Sequence, residues 1–462
     1  MVSQLVKSLL VVFLAIFMAV VYEKLTLYTT PPPNIPLQWW GPGKEGKSDT
    51  SIKPFKINIP NEVITDLKQR LKMVQPFQPP LEGTASQYGF NTDYLNTVLE
   101  FWKNKYSWKD RLVYLNSVPQ YMTEVAGLKI HFMHVKPATT KPGVTVLPLL
   151  LVHGWPGSQV EFNELIPLLT TPRAGESFVF EVIAPEIPGF GFSQGTDKPG
   201  LGTAQVAVIF AQLMDQLGFK TYFLQGGDWG SYISTMISQL YPERVRGLHL
   251  SMCDIRFNVN IMLRLLVGTI FPSLIVEKYE EPFMYPLGKY FSFLIEEMGY
   301  FHLQATKPDT IGVALRDSPI GLAAYILEKI SIGTDRKFKQ LVDGGLEKKF
   351  DVSRLLDNVM IYWVTNCITT SMRLYSEILT NQQKGLGLDN VAVLVPTSLA
   401  RFPNELVLLP KSIVKLKFKN LIQITDMKEG GHFAAMDQPK SLADDVWSST
   451  KLVLEKENVT YT

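Results

Sequence analysis

The stretch Thr221–Tyr232, TYFLQGGDWGSY, decides how this chain reads. It opens with an apolar, β-prone run (Tyr222, Phe223, Leu224), turns at Gly226 and Gly227, and continues from Gly230 as a helix-like segment. Asp228 stands at the turn, with Gly226 and Gly230 two residues away on either side. A side chain held in a strained turn between strand and helix needs neighbours without Cβ, because the two elements approach closely there. The following helix points its free N–H groups and positive end at the carboxylate, which keeps it ionised. In isolation, an Asp that merely caps a helix after a Gly-rich turn gives the same pattern. Other stretches decide between the two.

Around this stretch the chain alternates. Apolar strand candidates at Val144–Val152, Phe178–Ala184, Thr221–Gln225 and Arg246–Ser251 take turns with helical stretches at Glu161–Leu169, Thr203–Leu217 and Ser231–Tyr241. This predicts an α/β fold with a parallel sheet covered on both faces. The rhythm breaks at about Asp254, and residues 256–390, rich in Met, Phe and Tyr at helical spacing, read as a helical insertion. Strands return at Val391–Ser398 and Leu421–Thr425, and Ser441–Glu455 closes the chain as a helix. Upstream, Asn61–Met73 and Asp93–Lys105 read as amphipathic helices and Leu128–Val135 as a strand. Together they form an arm against a larger body. The expected division is an anchor over 1–28, the arm over 29–140, core halves over 141–255 and 391–462, and a cap over 256–390.

Composition narrows the function. Apolar residues make up 46% of the 462, charged residues 19%, and the net charge is only +2 with no long basic run. Nucleic acid is not an expected partner. Two cysteines, Cys253 and Cys367, exclude a disulfide scaffold and a cysteine-based zinc cage. His131 and His134, three apart on a strand, face opposite ways and make a poor metal pair. Ser8–Tyr22 is uncharged and nearly all aliphatic or aromatic, and it lacks a small-x-small site after Val20. It reads as an uncleaved membrane anchor, completed by Leu25–Tyr28. The Pro-rich connector Thr30–Gly43 follows, with Trp39 and Trp40 placed for the headgroup level.

Three stretches carry chemistry. The first is the Asp228 turn itself, laid out as a nucleophile elbow with Asp where G-x-S-x-G hydrolases carry Ser. A carboxylate, with a free pKa of about 3.9, is nucleophilic at pH 7 without a base. It suits an electrophilic sp³ carbon, such as an epoxide or alkyl halide, and leaves a covalent ester. The second is His153-Gly154-Trp155-Pro156-Gly157, directly after a strand, where a tight turn can hold a backbone N–H outward. The amides of Trp155 and Trp229 are the candidate oxyanion donors. The third is KEGGHFAAMDQP at Lys428–Pro439, which puts His432 in the loop after the last strand. His432 is the candidate base, activating the water that cleaves the ester. Glu405 leads as the acid behind it, and Asp426 follows as too near His432 along the chain.

HGWPG at 153, GGDWG at 226, GGHFAAMDQP at 430 and TKPDTIGVALRDSPIGLAAYILEK at 306–329 resemble the microsomal-type epoxide hydrolases. Within them the chain is most similar to the juvenile hormone epoxide hydrolases of insects, over essentially its whole length. The resemblance implies an α/β-hydrolase fold with a helical cap between its halves and an N-terminal arm around it. It implies Asp228 as nucleophile, His432 as base and Glu405 as orienter. It further implies that two cap tyrosines, Tyr300 and Tyr375, hold the epoxide oxygen. No cofactor or metal is implied. The partners are an apolar epoxide, juvenile hormone first among them, water, and the endoplasmic reticulum membrane, with the catalytic part in the cytosol. Two other readings remain: a haloalkane dehalogenase holding halide on the indoles of Trp155 and Trp229, and a non-catalytic membrane-tethered carrier of lipophilic ligands.

Overall fold

The computed structural model describes residues 2–26, 28, 30–138, 142–253, 255 and 259–460. Nine strands form one sheet: β1 (Lys53–Phe55), β2 (Gln120–Val125), β3 (Leu128–Val135), β4 (Thr145–Val152), β5 (Phe178–Pro185), β6 (Tyr222–Gly226), β7 (Val245–Leu250), β8 (Thr397–Arg401) and β9 (Leu421–Asp426). Their order is β1-β2-β3-β5-β4-β6-β7-β8-β9. From β5 to β9 all neighbours run parallel, whereas β1, β2 and β3 pair antiparallel. The sheet is therefore mixed, because the upstream segment adds three strands to its edge. β2 and β3 are joined by a two-residue turn, Ala126-Gly127, in which both residues have positive φ (54° and 80°). That mirror-image turn matches the twist of a hairpin.

The central parallel strands β4 and β6 are apolar on both faces, as strands sandwiched between helices must be. Leu149, Leu150, Leu151, Val152, Tyr222, Phe223 and Leu224 are all buried. β4 lies between β5 and β6, so the chain leaves it in one direction and returns on its other side. Such a reversal opens a crevice at the carboxyl ends of the strands. The HGWPG turn follows β4 there and the Asp228 turn follows β6. Between β7 and β8 the described residues are helical or irregular, including Gly299–Thr306, Pro319–Thr334, Val352–Thr365 and Ile368–Glu377. The start of this insertion, expected near 256, falls where residues 254 and 256–258 lie outside the described residues.

Two expectations are corrected. Val391–Ser398 is not a strand: Pro396 has no N–H for a ladder, so β8 begins after it at Thr397 and Leu394 is exposed. The helix expected over Glu161–Leu169 splits into a 3-10 turn, Gln159–Phe162, and a short helix, Leu165–Thr170.

The run Ser8–Tyr22 lies within a helix spanning Val2–Thr26. Leu9, Leu10, Val11, Phe13 and Met18 on it are each more than half exposed. Among the described residues no helix is long and apolar enough to cross a membrane, so the expected single-pass crossing is not met. Cys253 and Cys367 are free and buried, and burial pushes both thiols up to about 12.

Candidate active site

Asp228 is the first residue of the helix Asp228–Leu240 and has φ +47°, a left-handed conformation for a side chain other than glycine. Such a conformation costs on the order of 1–3 kcal/mol and persists only where the surroundings enforce it. The enforcement is steric. A Cβ on Gly226 would lie 2.3 Å from the Gly230 carbonyl oxygen, and one on Gly230 would lie 1.8 Å from that of Val152. One on Gly154 would lie 2.2 Å from the Cβ of Asp228 itself. The glycines on both turns thus record how closely the elbow helix, β6 and the loop after β4 converge.

Two groups orient the carboxylate. The Trp155 backbone N–H donates to Oδ1 at 2.7 Å, and His432 Nε2 lies 3.3 Å from Oδ2. On its other side, His432 Nδ1 is 2.7 Å from Glu405 Oε1, which also accepts the Leu406 N–H at 2.6 Å. The His432 and Glu405 side chains are 4% and 2% exposed, and that of Asp228 19%, so only the carboxylate at the end of the chain reaches open space.

Local structure explains why these groups meet. The Glu405 and His432 loops are stitched together at the preceding residues: Asn404 N and Nδ2 both donate to the Gly430 carbonyl, at 3.1 and 3.2 Å. Asp426, the other candidate acid, is taken up by Arg401 through two hydrogen bonds of 2.7 and 2.9 Å. The cap closes the arrangement from above. The Gly333 carbonyl, in the helix Pro319–Thr334, accepts the His432 N–H at 2.6 Å. From the helix Val352–Thr365, Asn358 Nδ2 donates to the Pro156 carbonyl at 2.7 Å and the Tyr362 hydroxyl to that of Gly157 at 2.8 Å. Those bonds fix the turn that presents the Trp155 amide. Trp229 is in the first turn of the elbow helix, where an N–H has no intrahelical acceptor.

Tyr300 and Tyr375 lie on neighbouring cap helices, Gly299–Thr306 and Ile368–Glu377. The Tyr300 ring stacks on Trp155 with centroids 5.3 Å apart. Tyr375 meets Trp229 edge-on at 4.5 Å and Trp155 at 5.9 Å. The tyrosines are 6.1 Å from each other, and the Tyr375 hydroxyl is buried with no partner. His153 is turned away from this group. Its Nδ1 is 3.0 Å from the Gly154 carbonyl, its Nε2 accepts the Ile187 N–H at 3.3 Å, and burial pushes its pKa down. A neutral imidazole bracing the loop fits that geometry.

The charges follow from these positions. Burial works against protonation of His432, but the Glu405 carboxylate and the hydrogen bond to Asp228 outweigh it and hold the imidazole well above its ordinary range. Burial pushes both phenols far up, aided at Tyr300 by Asp228 and at Tyr375 by Tyr300 and then Asp228. They remain neutral hydrogen-bond donors at any working pH. One ionisable group beside the site has no sequence signal: Glu161, buried against Asp228 and His432, whose carboxyl is pushed up to about 8, chiefly by burial.

Comparison with known proteins gives the fold and the family. Residues 52–162 match the family model described as the epoxide hydrolase N terminus, and residues 148–283 match that of the alpha/beta hydrolase fold. Juvenile hormone epoxide hydrolase 1 of Ctenocephalides felis is 52% identical over 94% of this chain and 93% of its own. Epoxide hydrolase 1 of Oryctolagus cuniculus is 46% identical over 91% of this chain and 94% of its own. The crystal structure of juvenile hormone epoxide hydrolase from the silkworm Bombyx mori superposes with a TM-score of 0.89 at 43% identity, covering 91% of this chain and 99% of that one. The fold is that of the α/β hydrolases, with the helical insertion seated over the ends of the strands. A carboxylate elbow, a histidine–glutamate pair and this likeness along the chain lead to one conclusion: the protein belongs to the epoxide hydrolases.

Proposed function

We propose that this enzyme opens an apolar epoxide to a diol through a covalent ester on Asp228, and that juvenile hormone is its substrate. The observation that carries the mechanism is the unbroken line Trp155 amide–Asp228–His432–Glu405, with contacts of 2.7, 3.3 and 2.7 Å. Tyr300 and Tyr375 donate to the epoxide oxygen. Asp228 Oδ2 attacks one ring carbon from the opposite side, the ring C–O bond breaks, and a phenol proton goes to the leaving alkoxide. Oδ1, already on the Trp155 N–H, becomes the ester carbonyl.

Ester formation removes the charge of Asp228. It thereby weakens the hold of its surroundings on the His432 proton; the imidazolium releases that proton, which balances the one the phenol gave up, and the neutral imidazole can accept another. His432 then takes a proton from water as its oxygen attacks Cγ, and Glu405 stabilises the imidazolium. The Trp155 and Trp229 amides hold the oxyanion until the Cγ–Oδ2 bond breaks and Oδ2 leaves on the alkyl group, taking a proton from His432 to become the second hydroxyl. The choice of juvenile hormone rests on the relatives bearing that name and on the apolar cap. A direct comparison of a juvenile hormone with styrene oxide checks it: the hormone should have the higher kcat/KM, and a preference for styrene oxide would contradict it. In the same assay Tyr300→Phe with Tyr375→Phe should cost about 10²–10⁴-fold, the usual contribution of general acid catalysis.

The helix Val2–Thr26, we propose, holds the enzyme on the endoplasmic reticulum membrane with the catalytic part in the cytosol. The apolar, exposed run over residues 9–17 there, with Leu266, Ile270, Phe271 and Leu274 exposed on the adjoining part of the cap, is costly to leave in water. The full chain should stay with membranes through an alkaline carbonate wash. Recovery in the supernatant would refute the attachment.

A further inference from the structure

Beside Asp228 lies a small cavity in which the centre of a water molecule can range over only about 20 Å³. That is room for a single water. Asp228, His432, Glu161, Gln225 and Gly154 line it, and neither Tyr300 nor Tyr375 does. Two of its polar walls have no established use. Gln225, on β6, is 2% exposed, and its Oε1 is buried without a hydrogen-bond partner. Glu161, in the 3-10 turn after the HGWPG loop, is 8% exposed, and among the described residues nothing bonds its carboxyl. A buried acceptor and a buried carboxyl both left unbonded are costly, and each calls for a partner.

The chain makes space for that carboxyl. A Cβ on Gly157 would lie 1.4 Å from Glu161 Oε1, so any other residue at 157 would push the carboxyl out of its place. We propose that this cavity seats the water that cleaves the alkyl-enzyme ester, and that Glu161 and Gln225 are the positioning residues that hold it against Asp228 Cγ. A tetrahedral water then has all four of its directions used. One O–H points to His432 Nε2 and the other to Gln225 Oε1. One lone pair accepts from Glu161 and the last faces Cγ. Glu161 suits the donor role because burial keeps it largely protonated at neutral pH, and it adds no second anion beside Asp228. When the water attacks, its proton passes to His432 Nε2, its oxygen bonds Cγ, and the Cγ–O bond to the alkyl group breaks with the electron pair leaving on that oxygen, which takes the proton from His432.

The inference rests on the covalent cycle proposed above, so its test separates the two steps. In single turnovers the full-length enzyme is mixed with limiting epoxide, and alkyl-enzyme formation and decay are followed by rapid quench and mass spectrometry. Glu161→Leu, Gln225→Leu and Gly157→Ala should each form the ester within about threefold of the wild-type rate and hydrolyse it about 10–100-fold more slowly, the worth of one or two buried hydrogen bonds. Glu161→Gln, which keeps a donor, should recover most of the lost hydrolysis rate. Hydrolysis within twofold of wild type in all three variants would overturn the assignment. So would an equal loss in both steps, the mark of a purely structural role. Absence of any alkyl-enzyme in the wild type would overturn the covalent cycle and this water site with it.

Discussion

Asp228→Ala should lower turnover by about 10⁴-fold or more, the loss expected when the proposed nucleophile of a covalent cycle is removed. The rest of the site should survive the change. The Trp155 amide is fixed by cap contacts to Pro156 and Gly157, and His432 by Glu405 and the Gly333 carbonyl, none of which involve Asp228. The variant should therefore still bind an epoxide, with KM or a competitive-inhibitor Kd near the wild-type value. Retention of more than about a hundredth of wild-type kcat would remove Asp228 from the centre of the mechanism.

The second large effect is of a different kind. His432→Gln should block the cycle halfway, because an ionised Asp228 needs no base to attack but its ester needs one to be cleaved. One equivalent of epoxide should be consumed quickly, and the protein mass should rise by the mass of the epoxide and stay there. Steady turnover should fall by about 10²–10⁴-fold. The wild-type pH profile should show the same division. Cleavage needs neutral His432, so its rate falls as pH drops through the imidazole pKa of the alkyl-enzyme. That pKa lies below the raised value of the resting enzyme, because the ester no longer carries the charge of Asp228. Ester formation has no such limb. If His432→Gln turns over continuously without accumulating ester, the base is elsewhere.

How far these groups could be read from the sequence depended on whether the signal was local. Asp228, Trp155 and His432 each follow a strand and sit among glycines, so a turn of unusual closeness is written into the chain; the predicted Cβ collisions at Gly154, Gly226 and Gly230 are that signal in three dimensions. Glu405 was reachable by its place after a strand, although the strand itself is displaced. The apolar run Val391–Val395 attracted the reading, whereas β8 ends in Arg401, a charge that is tolerated because Glu280 and Asp426 surround it. Likewise, β2 carries Glu124 and turns at Ala126-Gly127 rather than Asn-Gly, so neither its composition nor its turn declares a hairpin. Tyr300 and Tyr375 came only through resemblance, since nothing local separates them from the other tyrosines. Glu161 was invisible for a further reason: its environment is made by Gly157, Asp228 and His432, which converge only when the fold closes.

The central claim is that a protein oxygen, and not solvent, opens the ring. A single turnover in ¹⁸O-water, with enzyme in excess over epoxide, tests it most directly. The diol of that first turnover should carry unlabelled oxygen donated by Asp228, and one ¹⁸O should then be found in the Asp228 carboxylate on mass spectrometry of the peptide containing it. ¹⁸O in the first-turnover diol, with an unlabelled Asp228, would mean that water attacks the epoxide directly and would contradict the account.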